Sequence, residues 1–129
     1  MAGNDKQQAI EWGRKAEHIV MDWLVSKGYT VRETNWRSPT SRSEIDLIVQ
    51  KDGVIAFVEV KARSDRKMDP AEAITPVKIR NVVRGANTYL RSLEYDYTYR
   101  FDVATVCGTP DDYELDYMED AFLPPLFSR

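Results

Sequence analysis

The stretch Ser43-Glu44-Ile45-Asp46-Leu47-Ile48-Val49-Gln50-Lys51-Asp52-Gly53-Val54-Ile55-Ala56-Phe57-Val58-Glu59-Val60-Lys61 holds two apolar, β-branched runs separated by Asp52-Gly53. Asp-Gly is a strong two-residue turn signal, so the runs read as hairpin strands near 43–50 and 54–61. With Asp52 and Gly53 as the turn, Lys51 pairs with Val54. Asp46 then lies opposite Glu59, and Glu44 lies opposite Lys61. Alternation along each strand projects all four side chains from one face. Two carboxylates directly across a ladder, with Cβ atoms about 5 Å apart, repel each other. Stability does not favour that placement, whereas a divalent cation bridging the pair would remove the repulsion. A metal site at Asp46 and Glu59 is therefore the leading expectation.

On the N-terminal side, Gln7 to Lys27 reads as an amphipathic helix that stops at Gly28. On a 3.6-residue wheel, Ile10, Gly13, Val20, Met21 and Leu24 fall within about 60° of Glu17. That puts an acid inside an apolar stripe, where it would be a third carboxylate aimed at the same cation. A different rotation turns Trp12, Ala16, Ile19 and Trp23 inward and leaves Glu17 on the rim. His18, the single histidine, lies about 100° off the stripe and reads as a surface or packing residue. Tyr29 to Trp36 alternates as a first strand, and Arg37 to Arg42 is a polar loop with two arginines.

On the C-terminal side, Ala62 to Asp69 is a charged connection and Pro70 to Ile74 a short helical turn. Thr75-Pro76 is a good helix start, with a capping hydroxyl and proline at the first helical position. The helix runs to about Ser92 and buries Ile79, Val82, Val83, Ala86, Tyr89, Leu90 and Leu93. Arg80, Arg84, Asn87 and Arg91 form a polar stripe along it, either a solvated surface or a face for phosphates. Tyr97 to Cys107 is a fourth strand, joined in parallel to the third by the crossover helix. An edge strand is expected near 113–118. The order α-β-β-β-α-β gives an α/β sandwich around a mixed central sheet. One domain spans residues 1–129, and 108–129 form an acidic C-terminal extension.

Composition narrows the function. No apolar run approaches the ~20 residues that span a bilayer, and Met1 to Gln8 lacks the apolar segment of a secretory signal. The single cysteine, Cys107, excludes an internal disulfide and a cysteine-based metal site, and it fits a reducing cytoplasm. The formal net charge is -3, but it is unevenly spread: residues 61–91 carry 8 basic and 3 acidic side chains, while 92–129 carry 2 basic and 9 acidic. A local basic region, not the total, attracts phosphate.

Hydrolysis of a phosphodiester needs a nucleophilic water, stabilisation of the phosphoryl oxygens and help for the leaving oxyanion. Hard divalent cations on oxygen ligands supply all three. Mg²⁺ (or Mn²⁺) takes one or two carboxylates plus waters and substrate oxygens. That suits Asp46 and Glu59, with Glu17 direct or through water and the Val60 carbonyl as a further ligand. Lys61 would orient or deprotonate the water, or offset charge at phosphorus. Glu44 is a candidate for a supporting or second-metal role.

The residues Gly13-x-x-Ala16-Glu17, Leu24 with Gly28-Tyr29, Asn35-x-Arg37, Glu44-Ile45-Asp46-Leu47-Ile48, Phe57-Val58-Glu59-Val60-Lys61-x-Arg63, Glu72-Ala73 with Lys78, and Arg100-Phe101-Asp102-Val103 together resemble the YraN family. These are small bacterial proteins of the restriction-endonuclease-like superfamily, similar in core to archaeal Holliday-junction resolvases. The resemblance covers about residues 10–107. It implies a PD-(D/E)xK core in which Glu17, Asp46, Glu59 and Lys61 are the catalytic set and Mg²⁺ the metal. Ser43 and Ala16 stand where that family usually has glycine.

Three readings follow. The first is a metal-dependent nuclease acting on DNA, including branched or structured DNA, with Arg37, Arg42, Arg63, Lys78 and Arg84 as phosphate contacts. Paired active sites in a homodimer would suit two-strand incision. The second is a non-cleaving nucleic-acid-binding accessory that keeps the nuclease core. The third is an interaction domain whose acids are neutralised by arginines.

Overall fold

The computed structural model describes residues 2–64 and 68–123. Helix α1 (Ala2–Ser26) is followed by β1 (Thr30–Arg37), β2 (Glu44–Lys51) and β3 (Val54–Arg63). A 3₁₀ turn (Pro70–Glu72), helix α2 (Pro76–Arg91), β4 (Thr98–Thr109) and β5 (Asp112–Met118) complete the chain. The sheet runs β1-β2-β3-β4-β5; β3 and β4 are parallel and the other neighbours antiparallel. This is the mixed α/β architecture expected from the sequence, extended by β5.

The Asp52-Gly53 turn forms as read. Both residues have positive φ, 52° and 78°, the conformation of a tight hairpin turn that Asp and Gly tolerate. Register follows from it: Lys51 pairs with Val54, and the ladder continues to Leu47 opposite Val58. The α2 crossover then carries the chain back so that β4 runs parallel to β3 from Val54↔Thr98 to Arg63↔Cys107.

Two cores flank the sheet. On one side Trp12, Ala16, Val20 and Leu24 of α1 cover Leu47, Val49, Ala56, Val58, Ala104 and Val106. Those four helix residues are spaced i, i+4, i+8 and i+12, one row along the helix. Ile10 is 53% exposed, so the stripe first drawn through Ile10 and Gly13 is corrected: the buried face combines Trp12 and Ala16 with Val20 and Leu24. Glu17 sits at its margin, half-buried. On the other side Val82, Val83, Ala86 and Tyr89 of α2 pack on Ile45, Ile48, Ile55, Phe57 and Phe101, the face expected for this helix. Gly85 lets α2 approach closely: a Cβ there would stand 3.1 Å from Ser43 Cβ and 3.4 Å from Ile45 Cδ1.

The acidic extension joins the fold through β5. Asp102, fully buried, accepts hydrogen bonds from Tyr117 Oη (2.5 Å), Arg100 Nε (3.0 Å) and Asp120 N (3.1 Å). The Phe101 carbonyl accepts from Ala121 N at 2.8 Å, and Phe122 stacks on Phe101. Cys107 is buried. No helix of the described residues is long and apolar enough to cross a membrane.

Candidate active site at a strand fork

Beyond Leu47 and Val58 the β2–β3 ladder ends, while β3 continues beside β4. The strands fork, and main-chain groups that would have paired across the ladder lose their partners. The two acids fill that gap. Asp46 N donates to Glu59 Oε2 at 3.2 Å, and Val60 N donates to Asp46 Oδ2 at 2.8 Å. The opposed carboxylates therefore also do structural work, satisfying backbone donors at the fork. The expectation that stability gives them no support is corrected on this point.

Around them lies a cleft of about 370 Å³ lined by Glu17, Asp46, Glu59, Val60, Lys61, Ala73, Ile74, Thr75, Lys78 and Val103. Helix α1 supplies Glu17, the fork supplies the two central acids with Val60 and Lys61, and the start of α2 supplies Lys78. Thr75 caps α2, its Oγ1 accepting from Lys78 N at 3.2 Å. Lys78 Nζ then reaches Glu59 Oε1 at 3.1 Å. Lys61 is exposed at the mouth.

The electrostatics are those of crowded acids. Burial, then the charge of Asp46, pushes the Glu59 carboxyl up to about 8; Lys78 and the Asp46 N–H oppose this. Asp46 is also raised, by burial first, against the Val60 N–H and the charges of Lys78 and Lys61. Glu59 is the deeper of the two at 5% exposure. Glu17 is raised by burial and by Asp46, while a hydrogen bond from the Asn35 side chain pulls it down. Burial works to lower Lys78, but Glu59, Asp46 and Glu44 outweigh it and the ammonium is held up.

Glu44 does not line the cleft. Its carboxylate is 2.9 Å from Arg37 Nε, in an exposed pair. Strict alternation fails here, because Ile45 and Ile48 both pack on the α2 side. On β1, Asn35 has a positive φ of 48° and lies between the pairs Thr34↔Leu47 and Trp36↔Ile45. Arg42 and Arg84 are exposed. Arg63 is exposed too and borders a separate hollow of about 590 Å³ beside Trp12 and Lys15, whose lining brings no buried acids together. The connection holding residues 65–67 lies outside the described residues.

Two participants exceed the sequence reading. Lys78, expected only to contact phosphate, is the direct partner of Glu59. Asn35 lowers the Glu17 carboxyl against its burial; its place in Asn35-x-Arg37 was the available signal. Oxygen-only donors at an acid-rich cleft suit a hard cation such as Mg²⁺. Among the described residues no three acidic, histidine or cysteine groups are close enough to hold a metal by themselves. A cation here would thus draw on water, main-chain or substrate oxygens as well.

Fold and site define an α/β domain with an acidic, lysine-edged cleft where two strands part. The chain belongs to the uncharacterised protein family UPF0102, whose family model matches residues 16–106 and so spans every element of the cleft. This family is the YraN family of the sequence resemblance. The chain is 38% identical over 116 residues to a UPF0102 protein of Bacteroides fragilis, covering 89% of this chain and 94% of the relative. A UPF0102 protein of Bacteroides thetaiotaomicron is 36% identical over 118 residues, 91% and 96% of the two chains. One from Chlorobaculum parvum is 37% identical over 124 residues, 89% and 95%.

Proposed function

We propose that the protein is a metal-dependent nuclease of the PD-(D/E)xK type that hydrolyses DNA phosphodiester bonds, with branched or structured DNA as its substrate class. The reading is carried by one observation: Asp46, half-buried, and Glu59, buried, meet at the strand fork and face a cleft shared with Glu17, Lys61 and Lys78. Burial first, and then the charge of Asp46, holds the Glu59 carboxyl up to about 8, a perturbation of the kind that gathers at functional sites. Asp46 and Glu59 would hold Mg²⁺ or Mn²⁺, with Glu17 direct or through water and the Val60 carbonyl as further ligands. Bound there, the ion supplies Lewis acidity and an acidified water.

The protein's own groups do the rest. The two main-chain N–H groups fix the central carboxylates before any ligand arrives. Lys61 at the mouth orients the attacking water, takes its proton, or offsets charge on the phosphoryl oxygens. Arg37, Arg42, Arg63 and Arg84 offer exposed cations to the phosphate backbone, contacts that position DNA without reading its sequence. Two clefts paired in a homodimer would serve two-strand incision, in a cytoplasmic setting.

The test is cleavage of linear, nicked and four-way-junction DNA by purified protein in Mn²⁺. The wild type should yield products. Asp46→Asn and Glu59→Gln should yield none while keeping the wild-type far-UV circular dichroism. No products from the wild type, or equal products from all three, refutes the proposal.

A second reading, a non-cleaving nucleic-acid-binding accessory, draws on the Lys78–Glu59 pair and the absence of a three-donor group among the described residues. It predicts salt-sensitive DNA binding with no products in Mg²⁺ or Mn²⁺.

A further inference from the structure

We propose that Lys78 is the resident counter-ion of this cleft: its ammonium holds the seat that a divalent cation takes, and is released toward the substrate phosphate when the cation binds. The inference rests on the metal-site reading above and adds the device by which the acids are balanced until a cation binds.

The geometry is specific. Glu59 has two oxygens. Oε2 is engaged by Asp46 N, so Oε1 is the one left for a cation, and Oε1 is where Lys78 Nζ sits at 3.1 Å. Glu59 is 6% exposed at its side chain and Lys78 42%. The acid is thus fixed in the interior while the lysine keeps a solvated side from which to withdraw. Its backbone is fixed as well, because the Thr75 cap closes on Lys78 N. Movement is left to the flexible four-carbon stem. Lys61 makes no such contact with Glu59 and lines the mouth, so the two lysines are not equivalent.

Charge competition sets the direction of the effect. Taking away one nearby positive charge raises the pull on a dication twice as much as the pull on a proton. The loss of Lys78 therefore favours the metal even where protons compete. Restoring a charge at the same place restores the competition. Lys78 is a positioning residue in this scheme, and its signature is metal affinity without DNA.

The experiment is titration of the full-length protein with Mn²⁺ alone, above pH 8 and without DNA, for wild type, Lys78→Met and Lys78→Arg. Lys78→Met should bind roughly tenfold more tightly, equivalent to about 1.4 kcal/mol, and Lys78→Arg should stay near wild type. A second measurement needs no variant: acetylation of Lys78 in the wild-type protein, followed by mass spectrometry, should speed up when Mn²⁺ is added. Wild-type binding that Lys78→Met leaves unchanged or weakens, or acetylation blind to Mn²⁺, overturns the inference while sparing the metal site. Mn²⁺ binding by none of the three proteins removes the metal site and the inference together.

Discussion

Replacing Glu59 by glutamine should change how the stability of the fold responds to pH. In the unfolded chain this carboxyl titrates at its ordinary 4.5, whereas in the fold burial and the charge of Asp46 push it up to about 8. Between those two values the folded protein keeps a proton that the unfolded chain has lost. Stability must then fall as pH rises across that window, by up to about 1.4 kcal/mol per pH unit. By pH 7 the loss is about 3 kcal/mol; above 8 both states are ionised and the slope vanishes. Below 4.5 the contribution is fully present. A glutamine keeps an acceptor for Asp46 N but never ionises, so the variant loses this slope. Wild type and Glu59→Gln should therefore have similar melting temperatures near pH 4.5 and diverge by about 10 °C by pH 7, with the variant the more stable.

Thermal melts from pH 4.5 to 8.5 measure this: titrating groups remote from Glu59 are common to both proteins and cancel in the difference, whereas Asp46 and Lys78, which interact with its charge, do not. Mn²⁺ supplies the complementary arm. On the proposed metal site it would bind the ionised form, so it should raise the wild-type melting temperature at pH 8 and leave Glu59→Gln nearly unmoved. A wild-type profile that is flat, or that rises over this window relative to the variant, refutes the assignment of a buried proton to Glu59. An equal Mn²⁺ effect on both proteins refutes its role as a ligand.

Three further outcomes are expected. Gly85→Ala should lose the ~1 kcal/mol that alanine gains over glycine inside a helix, because the new Cβ meets Ser43 Cβ at 3.1 Å; in a Ser43→Gly background the gain should reappear, as a double-mutant melting cycle will show. Asp102→Ala should cost about 3 kcal/mol, since it removes the fully buried carboxylate that Arg100 holds most closely, leaving that cation, among the described residues, only the exposed carboxylate of Glu119 at 3.5 Å, and frees Tyr117 and Asp120 N, and hydrogen exchange should show β5 opening first. Asp46→Ala should cost about 1–3 kcal/mol more than Asp46→Asn in denaturant melts, because asparagine still offers an oxygen to Val60 N and alanine leaves that donor unpaired.

The hairpin was legible because a two-residue turn fixes register by itself: once Asp52 and Gly53 are placed, Asp46 must approach Glu59. Helix α2 was legible because its cap and its apolar period agree. The rotation of α1 was not. Hydropathy ranks Ile10 above Ala16, yet Ile10 is 53% exposed and Ala16 fully buried, because close approach of a helix to a sheet selects small side chains as well as apolar ones. Lys78 against Glu59 joins residues on a helix and a strand with no shared local period, so no pattern announces it. The break in alternation at Ile45 and the positive φ of Asn35 likewise leave no trace in a two-residue period. Asp102 could have been read: Arg100 and Asp102, two apart on a strand, must share a face.

What unites the legible and the hidden parts is the fork. A sheet that stayed fully paired would bury its backbone groups in one another and need no acid there. A sheet that parts must satisfy the freed N–H groups, and a carboxylate is the strongest acceptor available. Two carboxylates recruited for that purpose end up side by side, one buried and one half-buried, with more negative charge than their backbone partners can offset. The same local need that stabilises the strands thus creates an appetite for a cation. Lys78 meets that appetite with one positive charge; a divalent ion would meet it with two. Structure and chemistry at this site are two consequences of one interruption in a ladder, which is why amide substitutions that keep the acceptor and remove the charge can separate them.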